Sequence, residues 1–174
     1  MPAINEKAKA VRLLILDVDG VLTSGVIYYA NGDQFKGFHV HDGLGIKLLQ
    51  KAGIEVAVIS AKKSELVSRR LAELQVEHIY LGHEEKLAPY QELKQKLQLN
   101  DADIAYMGDD LPDLPVLRRV GFAVTVPQAP EIIKQHVDFI TKIKAGKGAV
   151  REVCELILEA QGLYQGVIES YLAT

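Results

Sequence analysis

Leu13-Leu14-Ile15-Leu16-Asp17-Val18-Asp19-Gly20-Val21 sets an unbroken apolar run against two aspartates and a glycine. Four apolar residues with no polar alternation predict a strand buried on both faces, as in a parallel sheet. Val56-Ala57-Val58-Ile59, ending at Ser60, repeats the pattern, and Ile79-Tyr80-Leu81, Ile104-Ala105-Tyr106-Met107 and Phe122-Ala123-Val124 continue it. Segments with helical spacing separate these runs, at 45–51, 64–74, 87–97 and 114–120. Strand alternating with helix predicts an α/β fold, a Rossmann-like parallel sheet with helices on both faces.

The stretch 23–40 interrupts that rhythm. Val26-Ile27-Tyr28-Tyr29 and Gln34-Phe35-Lys36-Gly37-Phe38 flank Asn31-Gly32, a strong hairpin signal because both turn residues tolerate positive φ. A β-hairpin flap is expected there, with His39 and His41 alternating along its second strand and Asp42 capping the next helix. Farther on, Ala149–Ala160 carries Val150, Val153, Cys154, Ile157 and Leu158 on one side, an amphipathic helix. The tail 162–174 is apolar and aromatic, a short helix or a docking arm.

With 174 residues, 20 Lys+Arg, 23 Asp+Glu and a net charge of −3, the chain 1–174 is expected to form one domain. A hydrophobic fraction of 48% and a charged fraction of 25% are those of a globular protein, which excludes a disordered or fibrous chain. The longest stretch without Asp, Glu, Lys or Arg runs only from Gly20 to Gly32, short of the roughly 20 apolar residues a membrane span needs. The charged start and the lone Cys154 suggest no secretory signal, no internal disulfide and a reducing cytoplasm. A slightly acidic chain without a Lys/Arg run or Trp has no footprint for nucleic acid.

In an open parallel sheet, ligands bind outside the carboxyl ends of the strands. The residues there are Asp17 and Asp19, then Ser60, then Gly108-Asp109-Asp110-Leu111-Pro112-Asp113, with Lys86 opening the helix after the third run. So many carboxylates at one edge repel one another unless a cation joins them, and carboxylate oxygens suit Mg²⁺. One aspartate can attack a phosphoryl group, a second can shuttle the proton, and a hydroxyl and an ammonium can hold the phosphoryl oxygens. Asp110 and Asp113 equally suit a helix N-cap and its first turn.

Asp17-Val18-Asp19-Gly20-Val21, Ser60, Lys86 and Gly108–Asp113, in that order, resemble the four motifs of the haloacid dehalogenase-like hydrolases. The resemblance implies Asp17 as nucleophile, Asp19 as general acid/base, Ser60 and Lys86 as phosphate holders, and Mg²⁺ bound by Asp17, Asp109 and the backbone carbonyl of Asp19. It places Asp110 and Asp113 one layer further out. The second aspartate of the first motif favours phosphate-ester hydrolysis over dehalogenation. The flap, one helix and one strand fill the interval from Asp17 to Ser60, and one helix and one strand the interval to Lys86, so no cap domain fits. Phe38–Gly45, Gly108–Asp113 and Gly146–Glu152 narrow the resemblance to capless phosphatases of small sugar-acid phosphates. That resemblance implies a homotetramer in which the flap and the tail complete a neighbour's site. Lys62, Lys63, Arg70 and Asp42 are the candidate substrate contacts, with Ala61-Lys62 standing where the family usually has Gly-Arg. The substrate expected is a phosphorylated 3-deoxy-2-ulosonate, with a sialic-acid-type 9-phosphate as rival. A receiver-type signalling module uses similar residues, but with its acidic pair on the first strand.

Overall fold

The computed structural model describes residues 2–30 and 33–173. A helix, α1 (Pro2–Ala10), leads into β1 (Leu13–Leu16), and β2 (Tyr28–Ala30) and β3 (Asp33–Phe35) follow. Next come α2 (Val40–Lys51), β4 (Glu55–Ser60), α3 (Glu65–Glu73), β5 (His78–Leu81) and α4 (Leu87–Lys96). The remainder is β6 (Ile104–Met107), α5 (Leu114–Leu117), β7 (Phe122–Thr125), α6 (Glu131–Lys134), β8 (Phe139–Ile140), α7 (Ala149–Ala160) and α8 (Tyr164–Leu172).

Six strands form one parallel sheet in the order β5-β4-β1-β6-β7-β8. Every residue of β1, β6 and β7 is buried, as the apolar runs require. Helices α1 and α2 pack on α7, and α4 packs on α5; right-handed crossovers put these two groups on opposite faces. The chain builds outward from β1 through β4 to β5, then returns to β6 on the other side. The β1–β6 junction is therefore the switch point at which open α/β sheets bind ligands. Leu16 is level with Val58 of β4 and Met107 of β6, so the chain leaves β1 and β6 side by side.

The flap is shorter than the sequence suggests. Tyr28–Ala30 pairs antiparallel with Asp33–Phe35, and the Asn31-Gly32 turn lies outside the described residues. His39 and His41 are not on its second strand, which ends at Phe35; His39 precedes α2 and His41 is in its first turn. Past Phe35 the chain runs irregularly through residues 36–39 and enters α2 at Val40.

Asp42 is likewise not the cap of its own helix. It is buried in the first turn of α2, and its Oδ1 accepts a hydrogen bond from the Arg151 backbone N–H at 2.9 Å. Helix α7 starts from Gly148, which has no side chain to cap it and sits at φ +115°. Asp42 fills that role from another element, and burial raises its pKa above the ordinary carboxylate value despite the facing N–H groups. Asp42→Ala is expected to cost about 1–2 kcal/mol in a urea titration and to leave turnover per folded molecule unchanged. Lost turnover at unchanged stability would return Asp42 to the substrate contacts.

Candidate active site

Asp17 follows β1, where its backbone N–H donates to the Met107 carbonyl of β6 at 3.0 Å. The chain then makes a wide turn through Val18–Leu22, closed by Thr23 N–H on the Val18 carbonyl. Gly20 has φ +91°, and a Cβ there would run into the Asp109 carboxylate. Glycine thus lets the first acidic loop and the loop after β6 meet. Gly108 plays the same part beneath Asp113, whose carboxylate a Cβ would overlap.

Lys86 joins the two loops. Its ammonium lies 2.7 Å from Asp17 Oδ1 and 2.6 Å from Asp113 Oδ1. Asp113 Oδ1 also accepts from Tyr106 Oη at 2.6 Å, while Oδ2 accepts from the backbone N–H groups of Asp109 and Asp110 at 2.9 and 3.1 Å. Each oxygen of Asp113 is thus twice engaged, so it holds the loop and Lys86 in place. Asp110 caps the following turn, its Oδ1 accepting from Leu111 N–H at 2.8 Å.

Asp17, Asp109 and Asp113 bring carboxylate oxygens within 4.8 Å of one another. Burial, with the charge of Asp113, lifts Asp17 to about 6 against the pull of Lys86. Burial, with Asp17, Asp113 and Asp110, lifts Asp109 to about 8. Burial by itself would lower Lys86, but Asp17 and Asp113 outweigh it and raise its pKa, so it stays an ammonium. Once all three are ionised, three carboxylates against one ammonium carry two excess negative charges, which fits a divalent cation with oxygen ligands. Because Asp113 is saturated, Asp17 and Asp109 are the side chains with oxygens to offer.

Asp17, Asp19, Ser60, Lys62, Lys86, Asp109, Asp110 and Asp113 all line one cavity of about 160 Å³. That is below the roughly 300 Å³ at which whole-ligand pockets begin, so it suits a phosphoryl group whose organic part lies outside. Lys63, Arg70 and Asp42 do not reach it. The stem of Lys63 covers Gly82, and Arg70 lies over Gly43 with its guanidinium 3.3 Å from Glu73 Oε2.

Two residues at the site escaped the sequence. Tyr106 stands in a fully apolar run, and a buried phenol needs a partner, which was the available signal. Lys36, just beyond β3, places Nζ 2.6 and 2.7 Å from the two oxygens of Asp19; nothing local marked it.

An open parallel sheet with paired carboxylates, a lysine and a hydroxyl at its switch point defines a metal-assisted phosphotransfer protein. A family model described as haloacid dehalogenase-like hydrolase matches residues 75–153. A 3-deoxy-D-manno-octulosonate 8-phosphate phosphatase of Salmonella typhimurium is 46% identical over 92% of this chain and 86% of its own. The crystal structure of such a phosphatase from Moraxella catarrhalis, in complex with magnesium, phosphate and KDO, superposes with a TM-score of 0.96 at 43% identity, covering 98% of this chain and 99% of that one. A HAD-superfamily hydrolase structure from Legionella pneumophila gives 0.96 at 45% identity, covering 100% and 96%. The chain belongs to the haloacid dehalogenase-like hydrolases, in the branch formed by the octulosonate 8-phosphate phosphatases.

Proposed function

We propose that this chain hydrolyses 3-deoxy-D-manno-octulosonate 8-phosphate (KDO 8-phosphate) to KDO and phosphate, a step toward lipopolysaccharide, with Mg²⁺ as cofactor. The observation that carries this is the cluster of buried Asp17, Asp113 and Lys86 with half-buried Asp109, in which carboxylates outnumber the ammonium by two, in a chain 46% identical to such a phosphatase. Asp17, Asp109 and the Asp19 carbonyl would hold the cation, which when bound neutralises charge on the transferring phosphoryl group.

Asp17, held by Lys86 through Oδ1, attacks phosphorus with a carboxylate oxygen. The bond from phosphorus to the sugar oxygen breaks as Asp19 gives that oxygen its proton, leaving an aspartyl-phosphate and the free sugar alcohol. Asp19 then takes a proton from water as the water oxygen attacks phosphorus, releasing phosphate and restoring Asp17. Ser60 and Lys86 hold the phosphoryl oxygens, and Lys62 at the rim meets the sugar carboxylate. Exposed Tyr28, Tyr29 and Phe35 on the flap, with Leu172 on α8, support a homotetramer in which these surfaces are covered. No helix among the described residues is long and apolar enough to cross a membrane, and the lone Cys154 supports a cytoplasmic setting.

Phosphate release from KDO 8-phosphate, a sialic-acid-type 9-phosphate and a hexose phosphate tests the substrate. KDO 8-phosphate is expected to lead in kcat/KM by tenfold or more, about 1.4 kcal/mol of discrimination. Equal cleavage of all three would remove the substrate assignment and leave the chemistry standing.

A further inference from the structure

Lys36 is a buried ammonium with one ionic partner among the described residues. Its side chain is 2% exposed, and both oxygens of Asp19 lie within 2.7 Å of Nζ, while the Asp19 side chain remains 27% exposed at the cavity. Lys36 itself does not line the cavity. An ammonium removed from water demands a fixed counter-charge, and here that counter-charge is the carboxylate that transfers the proton. The chain that carries it is the segment between β3 and α2, at the base of the flap.

We propose that Lys36 is a positioning residue that holds Asp19 for proton transfer to the leaving oxygen. The inference rests on the phosphatase reading above. As the phosphorus–oxygen bond breaks, the Asp19 carboxyl passes its proton to the departing oxygen and becomes a carboxylate. In the structure Lys36 bonds both oxygens of ionised Asp19; when Asp19 carries the proton, Lys36 keeps the oxygen that does not, and it meets the returning negative charge without moving into the cavity. The flap is thereby tied to the acid/base group as well as to whatever sits in front of it.

Leaving-group chemistry separates this role from a structural one. A sugar alkoxide needs a proton to leave, whereas p-nitrophenolate departs as a stable anion. Lys36→Met is expected to lower kcat/KM for KDO 8-phosphate by about 100-fold but that for p-nitrophenyl phosphate by less than about fivefold. Lys36→Arg should recover most of the loss, and Asp19→Asn should show the same substrate dependence. An equal loss on both substrates, or no loss on either, overturns the proposal. If the wild-type chain rejects KDO 8-phosphate, the substrate reading fails on its own. The same comparison then runs with a primary sugar phosphate that is turned over.

Discussion

Asp17→Asn is expected to lower phosphate release by at least about 10⁴-fold, the scale seen when a covalent nucleophile is removed, while the chain stays folded. Asn keeps the shape of the side chain and the backbone bond from residue 17 to Met107, but its amide is a poor nucleophile. Lys86 loses one partner and keeps Asp113 at 2.6 Å, so no buried charge is orphaned. Removing one of three crowded carboxylates also relieves repulsion. In metal-free buffer at neutral pH the variant should therefore melt at or above the wild-type temperature. Retention of more than about one hundredth of the activity would contradict Asp17 as the attacking group.

The second large effect is that of the divalent cation. Chelation should abolish turnover and leave a protein whose stability falls as pH rises. The sign follows from the two raised aspartates: burial and like charge hold Asp17 near about 6 and Asp109 near about 8, against 3.8 in the unfolded chain. Between the unfolded and folded values the folded state binds more protons, so unfolding releases them and becomes easier with rising pH. The destabilisation begins near the unfolded value, grows through both folded values and is complete above about 8. Mg²⁺ binds the ionised carboxylates, so the rise in melting temperature it produces should be larger near pH 9 than near pH 5. A magnesium shift of equal size at both ends would count against the carboxylate cluster as the binding site.

Much of this architecture is legible because the sheet is buried on both faces. Leu13–Leu16, Ile104–Met107 and Phe122–Val124 can be free of charged and alternating polar residues only where helices cover both sides, and the Cβ pattern of α7 likewise needs no tertiary context. The two-residue β8 sits at a sheet edge and carries no such pattern. Asp17, Ser60, Lys86 and Asp109 could be located because each lies where a strand stops or the next helix begins. Side chains acting across the fold could not be. Asp42 carries a sound local capping signal, yet its carboxylate serves a helix more than a hundred positions later. Lys36 meets Asp19 only once the flap is folded back, and an isolated lysine in an exposed-looking ribbon gives no hint of burial.

The level ends of β1 and β6 have an evolutionary corollary. Cation and phosphoryl chemistry are mounted on strand tips that the sheet register holds fixed, while the flap is a short ribbon outside the sheet. Descendants could therefore recruit new substrates by rewriting the flap, with little epistasis toward the catalytic centre. Lys36 marks the limit of that freedom, because a transplanted flap that omitted it would bring a new specificity and leave Asp19 without its partner.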